Sequence, residues 1–96
     1  MGSRIHRPKR LHKYLDGAPK AVAAIYDKPG FHDRFSVCMT SPEWEPSMGR
    51  SSLCLGLNID GGSYWCEAFR GPHLGKLIHW KNLPDRVREG VVARLK

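Results

Sequence analysis

The sequence predicts an α+β fold: an antiparallel β-sheet of four to five strands in a hairpin meander, with one C-terminal helix packed on one face. Three observations lead to it. From Ala21 onward the chain breaks into short β-favouring runs separated by Gly, Pro, Asp and Asn. Two of the gaps carry strong turn signals, Pro29-Gly30 and Asp60-Gly61. The final segment changes to an apolar residue at every fourth position, the spacing of one helix face. A chain of 96 residues, 41% hydrophobic and 26% charged, suits one domain around one small core. The predicted division is a flexible basic arm over 1–20 and a single folded unit over 21–96.

The arm, "SRIHRPKRLHKYLDGAP", has no period of 2 or 3.6 and ends on the turn residues Gly17 and Pro19. "AVAAIYD" and "RFSVCMT" then flank "KPGFHD" and predict paired strands over 21–27 and 34–40. In the second, alternation puts Phe35, Val37 and Met39 on one face and Ser36, Cys38 and Thr40 on the other. "SPEWEPSMGRS" (41–51), with two prolines and a glycine, is a surface loop. "SLCLGLN" and "SYWCEAFR" predict strands over 52–58 and 63–70 around Asp60-Gly61, with Leu53, Leu55 and Leu57 on the core face. "GKLIHW" predicts a fifth strand over 76–80. Asn82 then stands where a helix N-cap is expected, ahead of a helix over 83–95. Leu83, Val87, Val91 and Leu95 form its apolar stripe, and Gly90 weakens its second half by about 1 kcal/mol relative to alanine.

Charge is unevenly placed along the chain. The formal net charge is +7, with +5 in residues 1–20, −2 in 21–70 and +4 in 71–96. A basic run such as "RIHRPKRLHK" suits nucleic acid or an acidic protein surface, and the residues that would carry such binding are Arg4, Arg7, Lys9, Arg10 and Lys13. The other reading of the run is a solvated tail that serves solubility.

No apolar run approaches the roughly 20 residues that span a bilayer, and the opening segment is polar, unlike a secretory signal. The three cysteines, Cys38, Cys54 and Cys66, are widely spaced and odd in number. Free thiols in a reducing cytoplasm are the expectation, with no membrane association. A structural zinc site usually carries a short C-x2-4-C or H-x3-5-H pair; the chain has no such cysteine pair, and His73/His79 and His6/His12 reach the H-x3-5-H spacing only at its outer limit. No metal and no cofactor is expected.

The stretch "GPHLGKLIHWKNLPDRV" (71–87) concentrates histidine, lysine and tryptophan at a bend. It has no phosphate-binding loop, and no Ser, Cys or Asp stands at a recognised spacing from a histidine. It reads chiefly as a joint of bend, strand, cap and helix. Its alternative is a small catalytic or ligand-binding pocket built from His73, Lys76 and Cys66. Aromatics at 64, 65 and 80 invite base stacking as well as core packing, and Glu67 between Trp65 and Phe69 opposes phosphate on that face.

"DRFSVCMT" and, some thirty residues later, "GPHLGKLIHWKNLPDRV" together resemble small uncharacterised proteins of phages and bacteria. Those proteins share a DRY-T-V-type strand and a closing H-L-G-K … L-P segment before a helix. Phe35 and Ser36 stand here where that pattern prefers Tyr and Thr. The resemblance covers about two thirds of the chain; it implies an origin in bacteria or mobile elements and assigns no activity. The charge at both ends, together with the lack of a catalytic constellation, makes the expected function a small non-enzymatic accessory or regulatory protein that acts by binding nucleic acid or an acidic protein surface.

Overall fold

The computed structural model describes residues 9–40, 52–68 and 71–95, and the loop read at 41–51 lies outside them. Five strands form one antiparallel sheet: β1 Val22–Asp27, β2 Phe35–Met39, β3 Ser52–Leu57, β4 Ser63–Ala68 and β5 Lys76–Leu77. Their order is β4-β3-β2-β1-β5, and one helix, α1 (Asp85–Arg94), follows. The fold is α+β. The first four strands run as a meander. The fifth crosses back to the opposite edge, where Leu77 pairs with Tyr26 and Lys76 with Asp27. It is shorter than its predicted 76–80 because Trp80–Asn82 coils into a 3-10 turn.

β1 explains why its sequence shows no clean alternation. Val22 pairs with Met39 but Ala24 pairs with Cys38, so Ala23 is an extra residue and forms a bulge. In a regular strand Val22 and Ile25 would face opposite sides. The bulge turns both into the main core, with Phe35, Val37 and Met39 of β2 and Leu55 and Leu57 of β3. A second, smaller cluster lies on the other face: Ala24, Tyr26, Cys38 and Cys54, with Tyr14, Leu74 and Leu77 packed against it.

Two hairpin turns are held by side chains. Arg34 forks onto Asp27, its Nε donating to Oδ1 at 2.6 Å and its Nη2 to Oδ2 at 3.0 Å, which closes the β1–β2 turn. In the β3–β4 turn the Asn58 carbonyl Oδ1 accepts from the backbone N–H of Asp60 (2.9 Å) and of Gly62 (3.1 Å). Gly61 completes that turn at φ +90°, the left-handed region that favours glycine.

Three expectations are corrected. Residues 9–20 are not a free arm: Lys9–Leu15 form a 3-10 helix, and Leu15, only 4% exposed, belongs to the main core. Leu53 is 44% exposed, because α1 docks at the Leu57 end of β3 and leaves the other end uncovered. Asn82 is not the helix cap. It ends the preceding 3-10 turn; Leu83 is extended, as a residue before proline prefers, and the Pro84 carbonyl accepts from the N–H of both Val87 and Arg88.

α1 presses Val87 and Val91 into the core together with Leu83 and Trp80. Gly90 allows this docking. A Cβ there would lie 2.7 Å from the Gly61 carbonyl oxygen and 3.2 Å from Leu57 Cδ2. At the end of the helix Arg94 reaches the start of β4, donating from Nε to the Ser63 hydroxyl (2.9 Å) and from Nη2 to its carbonyl (2.8 Å).

Urea denaturation checks this account. Leu83→Ala is expected to lower stability by about 2–5 kcal/mol, the range for a truncated buried leucine. Gly90→Ala gains about 1 kcal/mol of helix propensity yet is expected to destabilise by about 1–3 kcal/mol, because the new methyl meets backbone that cannot yield cheaply. A stabilised Gly90→Ala protein would mean that α1 is not seated on the β3–β4 turn.

Candidate functional site

Lys13, of the basic N-terminal segment, meets the C-terminal segment at His79. The His79 imidazole Nδ1 lies 3.1 Å from the Lys13 carbonyl oxygen. A carbonyl only accepts, so Nδ1 carries the proton and donates it. The same imidazole lies against the Tyr14 ring, centroids 4.6 Å apart, and the Lys13 ammonium sits 5.3 Å from the centre of that ring. Gly17 lies under Trp80, where even a methyl group would touch the indole at 3.5 Å. The N-terminal turn is thus fixed to the segment that carries Lys81, whose carbonyl accepts from Arg88 Nη1 at 3.0 Å. Arg88 also pairs with Asp85.

Of the five expected binding residues, Arg4 and Arg7 lie outside the described residues. Lys9 and Arg10 fall in the 3-10 helix, with side chains outside the description. Lys13 is exposed on the side where the basic ends join.

The alternative trio does not converge. His73 is exposed and lines a cleft of about 350 Å³, but neither Lys76 nor Cys66 lines it. Lys76 is exposed on the edge strand β5, whereas Cys66 sits half-buried on β4 against the smaller core. The cleft is built instead from the β1–β2 turn (Lys28, Phe31, His32, Asp33), Ser36 of β2, Tyr64 of β4, and His73 with Leu74. Sequence reading took "KPGFHD" only for its turn geometry. Its signal was the crowding of a lysine, an aromatic, a histidine and an acid into one short turn.

Contacts within the cleft give it a defined shape. Lys28 Nζ donates to the His73 carbonyl at 2.9 Å and stands 4.4 Å from the centre of the Phe31 ring. That bond spans the cleft, joining the β1–β2 turn to the Gly71–Gly75 bend. Gly75 is essential to the bend: its φ is +118°, and a Cβ would collide with the Asp27 carbonyl. The Tyr64 hydroxyl donates to Asp33 Oδ2 at 3.0 Å, while its ring lies over Gly56, where a Cβ would come within 2.8 Å of it. Partial burial, then the hydrogen bond to Asp33, raises the Tyr64 phenol above its ordinary value.

The cleft therefore brings together the Lys28 amine, two imidazoles and a phenol, with Asp33 already accepting from that phenol. It can hydrogen-bond a small polar ligand. Among the described residues, no group of three or more His, Cys, Asp or Glu is placed to hold a metal ion, and no helix is long and apolar enough to cross a membrane. Compared with protein-family models, curated proteins and solved structures, the chain finds no match.

Spectrophotometric titration tests the phenol. Tyr64 is expected to ionise above the usual range near 10, and Tyr64→Phe removes its share of the absorbance change. The folded state holds this proton more tightly than the unfolded chain. The linked stability is therefore complete below pH 10 and is lost as pH rises through the raised value. If the phase that Tyr64→Phe removes were centred at the ordinary value rather than above it, the Asp33 bond would not form.

Proposed function

We propose that this is a small non-enzymatic protein that acts by binding an anionic partner, nucleic acid being the class its charge favours. The observation that supports this most directly is the His79–Lys13 hydrogen bond, which brings the basic N-terminal segment beside the basic C-terminal one. Lys13 is thereby held beside a segment of net charge +4, within a first twenty residues that carry +5. Arg4, Arg7, Lys9, Arg10 and Lys13 are the binding residues, and the anchored 3-10 helix supplies their footing. A cytoplasmic setting belongs to the same reading and is supported by three cysteines that stand as free thiols. Origin in a phage or bacterium rests on the resemblance of "DRFSVCMT" and "GPHLGKLIHWKNLPDRV".

Fluorescence anisotropy with labelled duplex and single-stranded DNA and RNA, from about 50 to 200 mM salt, tests this reading. If each of the five basic side chains neutralises one phosphate of a duplex, log K falls against log salt with a slope of about −4 to −5. Reversing all five charges abolishes binding. No binding near 50 mM salt to any of these probes, with capture of an acidic protein instead, would replace nucleic acid by that partner.

The cleft favours a second reading, a small-ligand binder centred on His73. Its support is the approximately 350 Å³ volume, within the range of small-molecule sites, and the convergence of His73, His32, Lys28 and Tyr64 around it. Proton NMR of the imidazoles is the test. A ligand that fills the cleft moves the His32 and His73 signals together, and His73→Ala weakens its binding while leaving the unfolding midpoint nearly unchanged. An unfolded His73→Ala protein would make His73 a structural residue and end this reading.

A further inference from the structure

Cys38, Cys54 and Cys66 form one row across three strands. Cys38 pairs with Cys54 between β2 and β3, and Cys54 pairs with Cys66 between β3 and β4. Residues directly opposite in antiparallel strands project to the same side, so all three thiols lie on the face away from α1. All three are free. The Cys54 thiol donates to the Cys38 sulfur at 3.0 Å. Directly opposed antiparallel residues have Cα atoms about 4.5–5.5 Å apart, within the span a disulfide bridges. Exposure decreases inward: Cys66 is half-buried, whereas Cys54 and Cys38 are 1% and 0% exposed. An oxidant from solvent meets Cys66 first, and the sealed pair lies behind it.

We propose that the row is an oxidation relay, in which hydrogen peroxide oxidises Cys66 and the oxidation passes through Cys54 to end as a Cys38–Cys54 disulfide. In the first step the Cys66 thiolate attacks one peroxide oxygen; the O–O bond breaks, hydroxide leaves and takes up the thiol proton as water, and Cys66 becomes a sulfenic acid. In the second, the Cys54 thiolate attacks the Cys66 sulfur. The S–O bond breaks, the oxygen leaves as a second water, and a Cys54–Cys66 disulfide forms. In the third, the Cys38 thiolate attacks the Cys54 sulfur, and Cys66 departs as thiolate and takes the proton Cys38 gave up. Overall two thiols are oxidised and one peroxide is reduced to two waters. The row suits the third step, because Cys38 and Cys66 pair with Cys54 from the two opposite neighbouring strands. Burial, with Cys54 and Asp33 nearby, raises the Cys66 thiol, so its resting form is protonated and the relay needs excess peroxide.

The experiment treats the folded full-length protein with hydrogen peroxide, alkylates remaining thiols after denaturation, and maps the peptides by mass without reduction. The expected product links Cys38 to Cys54 and leaves Cys66 alkylated. Cys66→Ser is expected to slow that linkage roughly tenfold or more, since the buried pair loses its solvent-facing partner. Cys38→Ser is expected to stop at a Cys54–Cys66 disulfide. Circular dichroism of each variant establishes that the sheet is retained, and Cys66→Ala serves if Cys66→Ser loses it. Formation of Cys38–Cys54 at the wild-type rate without Cys66 would overturn the relay. So would oxidation that ends on Cys66 as sulfinic acid with Cys38 and Cys54 both alkylated.

Discussion

The seating of α1 on the β3–β4 turn is the constraint on which the main core depends. Two backbones approach there with no side chain between them: Gly90 faces the Gly61 carbonyl, and Gly61 faces the Arg86 carbonyl so closely that a Cβ would stand 2.6 Å from it. Dispersion and apolar burial reward such an approach only if the flanking side chains interlock. They do, because Val87 and Val91 descend beside Leu55 and Leu57 with none of the four left exposed. The glycine that looks like a weak point of the helix is the residue that lets it settle. A local loss of helix propensity, about 1 kcal/mol, is exchanged for contact along the whole helix.

The opposite face is paved with small residues, and its chemistry follows from that. Ala24, Cys38, Cys54 and Gly56 leave room close to the sheet, which Tyr14, Leu74, Leu77 and the Tyr64 ring occupy. The cleft opens where this cover ends, between the β1–β2 turn and the Gly71–Gly75 bend. Most of its wall is turn and bend, joined by Ser36 of β2 and Tyr64 of β4, and turns carry the polar side chains that a packed face cannot hold. Tyr64 links the two regions, with its ring on Gly56 and its hydroxyl on Asp33.

What could be read from the sequence was whatever depends on local spacing. The alternation of Phe35, Val37 and Met39, the Asp60-Gly61 turn and the four-residue stripe from Leu83 each announce their element, and each element is present. What escaped depends on neighbours distant in the chain. The bulge at Ala23 is visible only against Met39 and Cys38. Leu15 becomes a core residue only because Trp80 and β1 lie beside its turn. Asn82 has the composition of a cap, but Pro84 decides where the helix begins by holding Leu83 extended. In the cleft, His73 was legible as a polar residue on a bend. Lys28, His32 and Asp33 were crowded into one turn, but their meeting with His73 and Tyr64 was not legible, because the topology alone brings those together.

The placement of β5 has a consequence for the order in which the chain assembles. β1 lies between β2 and β5, so one of its edges is satisfied by a hairpin neighbour and the other waits for Lys76–Leu77, some fifty residues later. On a ribosome the meander can form early, but it exposes the outer edge of β1 and the uncovered side of Leu55 and Leu57 until the last segment emerges. An unpaired edge beside an open apolar face is the condition under which nascent sheets join one another. The same C-terminal stretch that closes this edge also brings Leu83, Val87 and Val91 to the bare face. Both hazards therefore end together, which makes the completion of this small domain a single late event.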